Sequence, residues 1–131
     1  MFTELTSPRA SAPDTRRSAT VLIVDDEEGI CETLRDVFED EGFAVRTVNN
    51  GRDALTVLNE LAIKPCVVIL DLVMPVLDGN AVYRAMKADP VLAQVPIIIS
   101  TSDPSRAPAG ALIMRKPIAL DLLVAAVHRC C

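Results

Sequence analysis

Aromatic residues are scarce in this chain: three Phe, one Tyr and no Trp among 131 residues. Aliphatic side chains must therefore fill any core, and half of the residues are hydrophobic, enough to do so. Histidine is scarcer still, with His128 alone, and the four cysteines Cys31, Cys66, Cys130 and Cys131 form no CxxC pair. A zinc site has little support from that set. No apolar run approaches the ~20 residues of a membrane span, and the opening stretch MFTELTSPRASAPDTRRSAT lacks the apolar segment of a secretory signal. A cytoplasmic location without membrane contact is expected, and with it reduced thiols. Cys31 and Cys66 then read as small buried hydrophobes, and Cys130-Cys131 as a thiol pair. Basic excess is also missing. The net charge is −5 and the pI about 4.8, so direct nucleic-acid binding is not expected.

The length fits one domain. Residues 1–18, rich in Ser, Thr, Pro, Ala and Arg, read as a flexible N-terminal arm, and residues 19–131 as the domain. From there short apolar runs alternate with helical patterns. TVLIV (20–24), FAVRTV (43–48), CVVILD (66–71), PIIIST (96–101) and ALIMRK (111–116) read as strands. FAVRTV carries Arg46 and suits an edge, whereas CVVILD is the continuous apolar run of a central parallel strand. Between them Ile30, Cys31, Leu34, Val37 and Phe38 recur at helical spacing, as do Ala54, Leu55, Leu58 and Leu61. A third helix is read over 79–88, and a last one carries Leu122, Leu123, Ala126, Val127 and Cys130 as its inner stripe. The alternation predicts an α/β fold, a doubly wound parallel sheet of five strands covered on both faces.

Chemistry in such sheets sits beyond the carboxyl ends of the strands. Those ends carry Asp25-Asp26-Glu27, then Asp71, then Ser100-Thr101-Ser102, then Lys116-Pro117. Taken singly, Asp25-Asp26 reads equally as acids at a helix N-terminus, Asp71 as a strand-end cap, and Lys116-Pro117 as a turn. Together they bring carboxylates, a hydroxyl and one ammonium to one edge. Clustered carboxylates raise one another's pKa. A hard divalent cation relieves the repulsion, and Mg²⁺ prefers a few carboxylates with waters and phosphate oxygens. One carboxylate could then act as a nucleophile toward phosphorus.

The set VLIVDDE, VILDLVMPVLDG, IIIST and RKP, in that order, resembles the receiver domain of two-component response regulators over about residues 20 to 129. The resemblance implies flavodoxin-like strand order 2-1-3-4-5. It implies that Asp71 accepts a phosphoryl group from a histidine kinase or histidine phosphotransfer protein. Mg²⁺ (or Mn²⁺) would be bound by Asp26 and Asp71, by Asp25 through water, and by the backbone carbonyl of Val73. Thr101 and Lys116 would hold the phosphoryl group, Thr101 moving on activation, and Pro117 would follow a cis peptide bond. Output would be a changed contact with a downstream protein, and no enzyme activity is expected beyond the domain's own phosphorylation and dephosphorylation. The competing readings are a receiver-shaped binding scaffold that works without phosphorylation and an aspartyl phosphatase of the haloacid dehalogenase type. The latter lacks a Thr in the expected place and a cap insertion.

The segment SDPSRAPAGALIMR between Thr101 and Lys116 departs from the family. Once a strand is subtracted, too little remains for a helical crossover, and Pro104 and Pro108 interrupt what is left. The family's fourth helix is therefore expected to be absent or reduced to one turn. The aromatic often found in the fifth strand of the family is replaced by Ile113, and the small residue after the Thr by Ser102. Val73, β-branched, stands where side chains modulate dephosphorylation, so slow hydrolysis is expected. Loss of a covering helix should bare apolar surface. A partner, a second copy in a homodimer, or the N-terminal arm is expected to cover the region near Ile98 and Ile113. The chain ends just after the last helix and reads as a stand-alone receiver.

Overall fold

Five β-branched, aliphatic runs form one parallel sheet in the order β2-β1-β3-β4-β5. The strands are β1 Thr20–Val24, β2 Ala44–Val48, β3 Val67–Asp71, β4 Ile97–Thr101 and β5 Leu112–Arg115. The helices are α1 Glu28–Asp40, α2 Gly51–Glu60, α3 Gly79–Ala88 and α4 Leu120–Cys130. This computed structural model describes residues 19–131, so the arm expected over 1–18 lies outside the described residues. The expected order holds. Arg46 lies on edge strand β2, and every residue of central strand β3 is buried.

Two apolar layers follow from the period-2 alternation of the strands. Leu22, Val24, Val68, Leu70, Ile97 and Ile99 pack on one face with Ala54, Leu58, Val82 and Met86 from α2 and α3. Val21, Ile23, Val67, Ile69 and Ile98 pack on the other with Leu34 and Phe38 of α1 and with Leu123, Ala126 and Val127 of α4. α1 stops where Gly42 takes φ +95°, a left-handed value that suits glycine, and its N–H donates to the Glu39 carbonyl at 3.0 Å. In α4 the expected stripe is narrower: Leu122 is 60% exposed.

The crossover from β4 to β5 is reduced as expected, to one 3₁₀ turn at Pro104–Arg106. The consequence differs from the sequence reading. Ile98 is fully buried on the α1/α4 face. Register pairs Ile113 with Ile99, so Ile98 and Ile113 belong to opposite faces. The shortened crossover folds back over the sheet, with Ala107 and Ala111 against the layer that holds Ile97 and Ile99. Asn80 at the start of α3 fastens it, its Nδ2 donating to the Arg106 carbonyl at 3.0 Å. What remains exposed is β5 itself, Leu112 at 48% and Ile113 at 37%.

The cysteine expectation is corrected too. Cys31 is buried, but Cys66 and Cys131 are joined as a disulfide, their Cα atoms 5.3 Å apart. The start of β3 and the end of α4 meet at the amino edge of the sheet, which sequence separation concealed.

α3 begins where the chain leaving β3 doubles back. The Gly79 N–H donates to the Leu72 carbonyl at 2.9 Å, and a Cβ at Gly79 would lie 2.1 Å from the Asp71 carbonyl oxygen and 2.7 Å from Leu72 Cα. Backbone cannot yield there as a side chain would. Gly79→Ala is expected to destabilise by about 3 kcal/mol. Gly29→Ala, with nothing within 4 Å of the added carbon, should be neutral or slightly stabilising. Urea midpoints of the two variants check this, and equal midpoints would contradict it.

Candidate functional site

Because the strands are parallel, their carboxyl ends share one edge. β1 delivers Asp25 and Asp26, β3 ends on Asp71, β4 on Thr101, and Lys116 follows β5. Pairing extends past the strands and fixes these ends: the Asp25 N–H donates to the Val48 carbonyl at 3.1 Å and the Lys116 N–H to the Thr101 carbonyl at 2.8 Å. The Lys116-Pro117 peptide is cis.

Oxygen atoms of Asp25, Asp26 and Asp71 all lie within 4.8 Å of one another. Asp25 and Asp71 are buried and Asp26 is exposed. Lys116 Nζ stands 3.0 Å from Asp25 Oδ2, 3.1 Å from Glu27 Oε1 and 3.6 Å from Asp71 Oδ1. One ammonium thus faces the carboxylates of Asp25, Glu27 and Asp71, with Asp26 beside them. Burial is the main cause that pushes the Asp71 carboxyl up from 3.8 to about 6, and the charge of Asp25 adds to it. Lys116 and the Val73 N–H, which donates to Asp71 Oδ1 at 3.4 Å, only partly offset this. Burial works against the charge on Lys116, yet its bonds to Asp25 and Glu27 prevail and raise its pKa.

Hard oxygen donors with surplus negative charge fit a hard divalent cation such as Mg²⁺. A cavity of about 430 Å³ opens beside them, lined by Asp26, Glu27, Asp71, Val73, Ser102 and Lys116. Thr101 is not among its lining residues. It is buried, and its Oγ1 accepts from the Asp103 N–H at 3.1 Å.

The family model of the response regulator receiver domain matches residues 21–128. The chain belongs to the response regulator receiver family. This receiver is 38% identical over 89 residues to the DNA-binding response regulator MtrA of Mycolicibacterium smegmatis, a match spanning 68% of this chain and 36% of MtrA. It superposes on a putative response regulator from Chloroflexus aurantiacus with a TM-score of 0.77 at 30% identity, over 87% of this chain and 98% of the other. The response regulator TrrA of Thermotoga maritima, crystallised with Mg²⁺ and BeF, gives a TM-score of 0.76 at 26% identity, over 86% of this chain and 98% of TrrA. Magnesium thus has support from a relative, and manganese has none. Among the described residues no helix is long and apolar enough to cross a membrane.

Two features of the receiver's site went unread in the sequence. Glu27 was noted only as a strand-end acid, and nothing in its type or spacing foretold its bond to Lys116. Ser100 Oγ is buried without a hydrogen-bond partner. Its pairing with Asp71 across the sheet was legible only once register was known.

The raised pKa of Asp71 means that, between about pH 4 and 6, the folded chain holds a proton there more tightly than the unfolded chain does. This residue's contribution to stability therefore falls as pH rises through that window. Without divalent cations, Asp71→Asn is expected to stabilise the protein by about 1–3 kcal/mol at about pH 8. The gain should vanish toward about pH 4. Urea denaturation in EDTA at both values checks this, and a loss of stability at the higher pH would contradict it.

Proposed function

We propose that this receiver takes a phosphoryl group on Asp71 from the phosphohistidine of a histidine kinase or histidine phosphotransfer protein and signals by altering a contact with a downstream protein. The observation that carries the reading is the Asp71 carboxylate itself. It is buried at a strand end, its pKa is raised to about 6, and it lies 3.6 Å from an ammonium beside a cavity. An Asp71 oxygen attacks phosphorus, the phosphorus–nitrogen bond of the donor breaks, and the imidazole leaves with the electron pair and takes up a proton. Water later attacks the same phosphorus and restores the carboxylate.

Asp26 and Asp71 would hold Mg²⁺ directly, Asp25 through water, and Val73 through its carbonyl. The ion supplies charge neutralisation at the phosphoryl oxygens. Lys116 leaves part of its bonding to Asp25 and Glu27 to pair with the phosphoryl group, and Thr101 exchanges its bond to Asp103 for one to the same group. Val73 is half exposed at the cavity's rim, where its β-branched side chain hinders the water and slows hydrolysis. Output through protein contact in the cytoplasm suits the net charge of −5 better than a grip on nucleic acid by this domain.

Acetyl phosphate with Mg²⁺ should add one phosphoryl group to the intact mass of the wild type and none to Asp71→Asn. After removal of acetyl phosphate the group should persist well beyond seconds. A folded wild type that gains nothing would sink the proposal and favour the scaffold reading, for which the shortened β4–β5 crossover is the supporting feature.

A further inference from the structure

At the sheet edge opposite the carboxylates, Cys66 precedes β3 and Cys131 follows α4. Their bond closes a span of 65 residues. It ties the end of α4 to the residue before β3. Only Leu123, Ala126 and Val127 of that helix are buried, and its N-cap residue Ala119 supplies no side-chain hydrogen bond. Leu120 and Leu122 are 38% and 60% exposed. At its far end His128 Nε2 meets Glu41 Oε1 at 2.7 Å, with both side chains partly exposed, where such a pair adds little. The strand that leads into it, β5, has no buried residue. The disulfide is thus a covalent tie at the end of this helix.

We propose that Cys66–Cys131 is a reversible thiol–disulfide exchange site for small thiols and disulfides of the glutathione type, latching the end of α4 to the base of the sheet. The two sulfurs differ in access: Cys131 is exposed and Cys66 is 3% exposed within the α1/α4 layer. Exchange therefore starts at Cys131. For closure, the Cys131 thiolate attacks glutathione disulfide and releases one glutathione thiolate. The Cys66 thiolate then attacks the Cys131 sulfur and releases the second, so two protein thiols are oxidised as one disulfide is reduced. Reduction runs the same steps backward. Cys31 takes no part: burial pushes its thiol up to about 11, and its Sγ donates to the Asp25 carbonyl at 3.3 Å. A closed loop of this length restricts the unfolded chain, so the latched form is the more stable one. The inference is independent of the proposed phosphorylation.

The full chain is equilibrated in oxidised glutathione or in dithiothreitol, then alkylated and mapped by peptide mass. Oxidised glutathione should yield one intramolecular Cys66–Cys131 bond, and dithiothreitol should open it. Opening should lower Tm by roughly 5–15 °C. It should also speed amide exchange over residues 124–130 more than over α1. Cys131→Ser should match the reduced wild type in both buffers, and Cys130→Ser should match the wild type in each. A bond between Cys130 and Cys131 or between chains, no bond in oxidised glutathione, or equal Tm in both buffers would overturn the proposal.

Discussion

Lys116 is one ammonium set against three carboxylates within 3.6 Å, with a fourth, Asp26, at hand. That imbalance organises the molecule. Residues on three different strand ends can meet only because β1, β3 and β5 run parallel and stop level with one another. The order β2-β1-β3-β4-β5 places β3, with Asp71 at its tip, in the buried centre. Burial there is the largest cause of the raised Asp71 pKa. The same burial that makes the charge costly gives a cation or a phosphoryl group a stronger hold than it would have in water.

The loop after β3 shows how tightly the fold serves that edge. Gly79 lies against the backbone of Asp71 and Leu72, and Gly51 lies against Leu77, a Cβ there falling 2.1 Å from the Leu77 carbonyl oxygen. Val76 takes φ +71°, a costly value for a β-branched residue. The segment from Asp71 to Gly79 is thus wedged between the sheet and the start of α2. Val73 is held at the rim of the cavity as a result. The opposite half of the molecule is looser: one 3₁₀ turn replaces a helix beside β5, β5 stays exposed, and α4 is tied at its end by a disulfide.

The five strands, the edge position of β2 and the reduced crossover were legible because each rests on local pattern: unbroken apolar runs, Arg46 in an alternating strand, and two prolines in a short segment. The strand order came from the resemblance to receivers, since no local pattern fixes it. The gathering of Asp25, Asp26, Asp71 and Lys116 was legible because a parallel sheet fixes where strand ends go. Three things were not. Ile98 was assigned to the wrong face because pairing of β4 with β5 depends on register, and a shift of one residue exchanges faces. Leu122 fits a helical stripe by spacing, yet only a narrower part of α4 meets the sheet. The Cys66–Cys131 bond joins residues that approach only after the whole sheet has assembled, and no spacing rule reports that.

The most direct measurement is the titration of the Asp71 side-chain carboxyl by carbon-13 NMR, with and without Mg²⁺. The account predicts a midpoint near 6 in the metal-free protein. With saturating Mg²⁺ the midpoint should fall below the ordinary carboxylate value of about 4. A midpoint near 4 in both samples would contradict it, since Asp71 would then be neither strained by burial nor a ligand of the ion.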